Sequence, residues 1–230
     1  MKLLQFSNAP GLSPFAPIWN CTHAEAVIEG VDYKSLAQWL VERESEIHAA
    51  SLVRDTVKVS AFNGNGPNSL SSNYSSFNPL SQNHPQAQIL RQLIFDQYCK
   101  FMVITGVKRR RTWLHAWANI HHRYESIPAH VHNAGPYSFL SGHITLHCAR
   151  TSTVYLDPMN ALNQVIIHDS TNEVGKLSIF QQCIPHYTTP HAGDEPRVTL
   201  AFDLLLEEDF SRYPDSHPAR ATALLFDGLG

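Results

Sequence analysis

The chain has 230 residues, a formal charge of −3 and only 16% charged residues, a size that suits one domain with an extension and a balance that argues against a globally basic nucleic-acid binder. Hydrophobic residues make up 43%, enough to fill a core, and no run approaches the roughly 20 apolar residues of a membrane span. Four scattered cysteines (Cys21, Cys99, Cys148, Cys183) without a CxxC pair exclude a zinc knuckle or disulfide framework, and the opening MKLLQFSNAPGLSPF lacks the apolar centre of a secretory signal, so a cytoplasmic protein is expected.

Residues 33–49 place Leu36, Leu40 and Ile47 on one helical face, with Glu42, Arg43 and Glu46 opposite. Residues 53–60 alternate like a strand. The stretch 63–83 is rich in Asn, Ser, Gly and Pro and reads as a long loop, either a substrate-covering segment or a connector. A second helix is predicted over 85–102, with Pro85 in its first turn, Leu90, Leu93, Ile94 and Phe101 as its stripe and Gly106 beyond its end.

From there the period changes to two. Over 112–121 Trp113, His115, Trp117, Asn119 and His121 face one way, and Leu114, Ala116, Ala118 and Ile120 the other. Further strands are predicted at 129–133, 138–148, 152–157, 163–168, 176–184 and 197–206. Short strands with no helical pattern between them argue for an antiparallel sandwich or barrel. The expected organisation is a helical and loop extension over 1–105, a β core over 106–210 and a tail over 211–230, forming one structural unit.

Fourteen histidines are present, ten of them between His115 and His191. On a strand, His130 and His132 project from the same face and can reach one metal ion. His186 is followed eleven residues later by Arg197, which opens the last strand. In an antiparallel pair this brings an imidazole for a metal and a guanidinium fork for a carboxylate into one pocket. Arg197 shares its strand face with Thr199, Ala201 and Asp203. Lys108-Arg109-Arg110-Arg111, the one basic run, reads as a solvated face or as an attractor for an anionic substrate.

These pieces, in this order, resemble the phage and bacterial 2-oxoglutarate–iron(II) oxygenases related to prolyl 4-hydroxylases. The correspondence runs through Trp117 and Asn119, His130 and His132, Ser141-Gly142, Asp157-Pro158, Phe180 through His186, Pro190 and Arg197, covering roughly residues 70–205. The resemblance implies a mostly β fold with flanking helices, the double-stranded β-helix or jelly-roll, holding iron(II), 2-oxoglutarate and a small-molecule or peptide substrate. His130 and His186 match the family's metal histidines, and Arg197 its carboxylate anchor. Where the family has Ser-Gly-Val-Tyr-Tyr-Leu this chain has Ser141-Gly-His143-Ile-Thr145-Leu, so His143 and Thr145, with Asn119, are the residues left to line the co-substrate pocket.

Non-haem iron oxygenases usually use two histidines and a carboxylate. Here the position two beyond His130 is His132, so either the site has three histidines, or it keeps two with Asp157, Asp169 or Asp194 as the third ligand or with that position open. Trp113, Trp117, Tyr124 and Tyr137 are candidate walls of the substrate pocket. Two other readings stand beside the oxygenase: a cupin-like three-histidine dioxygenase without a keto acid, and a non-catalytic jelly-roll binding module. The prime substrate is not written in these motifs.

Overall fold

Strict alternation in the second half of the chain makes strands whose two faces differ in chemistry, and that difference positions the site. A computed structural model describes residues 1–8, 11, 13–50, 70–71 and 77–226. Strands β1 (Lys2–Ser7) and β2 (Asn20–Val27) come first, then helices α1 (Tyr33–Val41) and α2 (Glu44–Ala49), the short β3 (Leu70–Ser71) and the long α3 (Pro85–Thr105). There follow β4 (Thr112–His121), β5 (Leu140–His147), β6 (Ser152–Leu156), β7 (Ile166–Thr171), β8 (Lys176–Gln181), β9 (His186–Thr188) and β10 (Arg197–Leu206). The chain then closes with α4 (Glu207–Phe210), α5 (Pro218–Thr222) and β11 (Leu224–Leu225).

All pairings are antiparallel. The main sheet runs β1-β2-β8-β5-β10-β4-β11, with β3 also on β4, and the small sheet runs β7-β6-β9. The architecture is the jelly-roll expected from the sequence. No helix among the described residues is long and apolar enough to cross a membrane.

The outer face of the main sheet is apolar. Leu114, Ala116, Ala118 and Ile120 of β4 join Ile144 and Leu146 of β5, Leu177 and Ile179 of β8, and Val198, Leu200, Phe202 and Leu204 of β10. Helices α1 and α3 add Leu36, Leu40, Leu90, Ile94, Tyr98 and Phe101 to the same cluster. Each fully buried Leu or Phe here contributes about 1.5–3 kcal/mol of transfer free energy, so this layer anchors the sheet. The inner face carries the polar alternates, His115, Asn119, His121, Ser141, His143, Thr145, Ser178, Arg197 and Thr199, all buried.

Helix α1 starts at Asp32, whose carboxylate accepts from the Ser35 N–H at 3.0 Å, and α3 ends at Gly106, whose φ of 69° suits the left-handed cap. The structure departs from the sequence pattern in five places, four of them from α1 onward. The helix expected over 33–49 is two helices, because no apolar residue lies between Val41 and Ile47 to continue the stripe and the Arg43 N–H turns back to Leu40 O. The stretch 129–133 is no strand and keeps one bridge, His130 opposite His186. Strand β9 falls where no strand is predicted, and the strand expected over 163–168 lies at Ile166–Thr171.

Strands β1 and β2, in a region read as helix and loop, form one edge of the main sheet, paired over Lys2–Ser7 and Asn20–Glu25. The strand predicted at 53–60 lies outside the described residues, as does most of the 63–83 loop. Of that loop, Leu70 pairs with Ile120, and Pro79–Ser81 form a 3-10 turn capped by Asn78.

Candidate active site

His130 and His186 stand directly opposite each other. The His130 N–H donates to His186 O and the His186 N–H to His130 O, both at 3.0 Å, so their side chains leave the backbone on the same side. The His132 N–H donates to Gln182 O at 3.1 Å, which brings the second imidazole of the HxH pair to the same spot. Ring centroids are 4.4 Å apart for His130 and His186, 5.1 Å for His132 and His186, and 5.4 Å for His130 and His132. One ring nitrogen from each lies within 4.8 Å of the others.

The opposite edge of each ring is held. His130 Nδ1 donates to Pro128 O at 2.9 Å and His186 Nδ1 to Ile184 O at 3.0 Å. His132 Nδ1 meets Asp203 Oδ1 at 2.6 Å, and the same carboxylate oxygen accepts from Ser141 Oγ. Carbonyl and carboxylate oxygens only accept, so each Nδ1 carries the hydrogen and each Nε2 lone pair is presented to the centre. Burial, reinforced by the neighbouring His132, pushes His130 down to about 4. Burial followed by His130 and His132 holds His186 well below its ordinary value. Burial would raise the Asp203 carboxyl, but its contact with His132 and the hydrogen bonds from His132 and Ser141 outweigh it and hold it below its ordinary value.

None of the carboxylates considered from sequence joins the cluster. Asp157 accepts from the Met159 N–H, Asp169 is exposed, and Asp194 pairs with Arg123 at 2.8 Å. The carboxylate that does arrive is Asp203, behind His132 rather than beside it. Sequence alternation puts Asp203 on the Arg197 face, but its partner lies 71 positions away and leaves no local signal.

Arg197 is 2% exposed at the other end of the same inner face. Its Nη1 donates to His121 Nδ1 at 2.9 Å, its Nε has no partner, and among the described residues no carboxylate pairs with it. Burial pulls the guanidinium down to about 10, which leaves it cationic near neutrality. His121, held at about 3 by burial and then by the Arg197 charge, is the neutral acceptor.

Across the sheet Asn119, Thr199 and Thr145 lie in one register row, and Trp117, Ala201 and His143 in the next. Asn119 Oδ1, Thr145 Oγ1 and His143 Nδ1 are buried without hydrogen-bond partners. Native interiors rarely leave such atoms orphaned, so a cluster of them beside an uncompensated buried cation marks a place for a polar anion. His143 Nε2 contacts Tyr155 Oη at 3.0 Å, and burial followed by the Arg197 charge keeps the ring neutral.

One cavity joins these groups. Asn119, His130, His132, His143, His186 and Arg197 all line it, with Trp117, Ile127 and Phe180 as apolar wall. Tyr124 and Tyr137 do not: Tyr124 is exposed beneath Arg123, and Tyr137 lies under the Arg212 guanidinium. Trp113 stacks on Phe210 at 4.3 Å, also away from the cavity. In the basic run, which is exposed throughout, Arg110 and Arg111 pair with Glu208 and Glu207 of α4.

No protein-family model matches the chain, and no curated protein matches it. Solved structures do share the fold. A Pseudomonas putida prolyl-4-hydroxylase superposes with a TM-score of 0.53 at 12% identity, over 80% of this chain and 92% of that one. AviO1 from Streptomyces viridochromogenes Tue57 gives 0.54 at 13% identity, over 82% and 90%. SnoK, a non-heme alpha-ketoglutarate dependent carbocyclase from nogalamycin biosynthesis, gives 0.50 at 10% identity, over 80% and 79%.

Proposed function

We propose that the protein is an iron(II)- and 2-oxoglutarate-dependent oxygenase that hydroxylates a small-molecule or peptide substrate and releases succinate and carbon dioxide. The observation that carries this reading is one cavity with three convergent imidazoles at one end and a buried, carboxylate-free Arg197 at the other. The donor set fits the metal: neutral imidazole nitrogens suit iron(II) among the first-row divalent ions. The orphaned Arg197 Nε fits the co-substrate, since a dicarboxylate can take the guanidinium fork at its far end.

His130, His132 and His186 would hold the metal. Arg197 orients the co-substrate, with His121 fixing the guanidinium from β4. Asp203 fixes the tautomer and plane of His132. Trp117, Ile127 and Phe180 keep water from the reacting end. When bound, iron(II) with 2-oxoglutarate supplies an oxidative decarboxylation coupled to oxidation of a substrate C–H bond.

A three-histidine dioxygenase without a keto acid would use the same imidazoles but leaves Arg197 without a role. Anaerobic titration of the apoprotein with iron(II) and then 2-oxoglutarate separates the readings. The expected result is a weak visible charge-transfer band, absent in His186→Ala and needing far more keto acid in Arg197→Ala. Iron binding without the band would overturn the keto-acid assignment, and no iron binding would leave a binding module.

A further inference from the structure

A second cluster of metal-ligating side chains lies on the β2 edge of the main sheet. Strand β2 alternates, so His23 and Glu25 both point inward, and β7 of the small sheet faces them with His168. We propose that His23, Glu25 and His168 form a second divalent-cation site, of the zinc class, distinct from the three-histidine centre.

The donors cluster closely enough for one ion, once the Glu25–His168 hydrogen bond at 3.0 Å opens to the separation a metal sets. Glu25 Oε1 is 3.0 Å from His168 Nε2 and 3.6 Å from His23 Nε2, and one ligand atom from each residue lies within 4.8 Å of the others. Tetrahedral zinc with bonds of roughly 2.0–2.2 Å sets its ligands roughly 3.3–3.6 Å apart. Two histidines and one glutamate are a known zinc donor set.

The independent observation is His23. Its ring is 1% exposed and neither nitrogen makes a hydrogen bond, although Nε2 points at Glu25. An imidazole left unpaired in the interior is costly, and a cation between Nε2 and Glu25 removes that cost.

The surroundings fit a modest rather than a tight site. Ser170 Oγ donates to Glu25 Oε1 at 2.5 Å and orients it. Lys176 Nζ stands 3.4 Å from the same oxygen while donating to Thr171 O at 3.0 Å, and competes with a cation. His168, which now contacts Glu25 through Nε2, carries its hydrogen on Nδ1 once an ion binds. Glu25 and His168 are 13% and 21% exposed, so solvent reaches the cluster. Tyr155 separates it from the other centre, its ring 4.4 Å from His23 and 5.7 Å from His186.

Equilibrium dialysis of the full-length apoprotein against zinc(II), followed by metal analysis, tests the site. His168→Ala and the near-isosteric Glu25→Gln, each confirmed as folded by circular dichroism, are expected to bind one zinc fewer per chain than wild type. His186→Ala is expected to retain that ion. The readout is the difference from wild type, so it stands whatever metal the three-histidine centre prefers. Equal zinc content in wild type, His168→Ala and Glu25→Gln would overturn the proposal.

Discussion

His132 and Asp203 lie 71 positions apart and meet at 2.6 Å, Nδ1 to Oδ1, with Ser141 donating to the same carboxylate oxygen. A carboxylate behind a metal-facing imidazole fixes which nitrogen carries the proton and makes the other a better donor.

Removing that support should weaken the metal without removing a ligand. Asp203→Ala is expected to lower iron(II) affinity about 10–100-fold, by competition with a chromophoric chelator. Unchanged affinity in a folded variant would mean that Asp203 does not position His132.

Burying Arg197 costs the empty protein stability. A buried cation without a carboxylate is unfavourable, so Arg197→Met is expected to melt at or above the wild-type temperature when no ligand is present. At 100 times its Kd, 2-oxoglutarate should stabilise the iron-loaded wild type by about 2.7 kcal/mol, or roughly 5–10 °C for a chain of this size. Arg197→Met should show no such rise. A full ligand-dependent shift in the variant would remove Arg197 from the co-substrate site.

Gly142 is required by close packing. A methyl group there would fall on the Phe202 ring and the Ser178 carbonyl. Gly142→Ala is expected to cost about 1–3 kcal/mol in denaturant unfolding. A loss under 0.5 kcal/mol would show that β5 and β8 can part to accept it.

Metal-free protein should be sensitive to mild acid. His121 and His143 are both depressed from 6.5 to about 3, by burial and then by Arg197. Between those values the unfolded chain binds more protons than the folded one, so stability is full above pH 6.5 and falls as the pH drops through this window. Each histidine contributes a slope of about 1.4 kcal/mol per pH unit within it. Thermal melts of the apoprotein from pH 7.5 to 5 should show a steady fall, shallower in His121→Gln. A flat profile would mean that these rings are not buried neutral.

Much of the inner face was readable from period two alone. The split of β4 and β10 into an apolar outer row and a polar inner row matches the structure residue for residue, because strand geometry is local. Strands β1 and β2 escaped because β1 is a short edge strand and β2 carries polar residues on its buried inner face, which blurs the apolar signal.

Sequence by itself determined which side chains share a face of β10: Arg197 with Thr199, Ala201 and Asp203. Tertiary structure alone decided which faces meet. It set His186 opposite His130, brought Asp203 behind His132 in place of Asp157, Asp169 or Asp194, and left Arg197 without a carboxylate. Cross-strand register depends on how two sheets close over a shared core, and no local period encodes that.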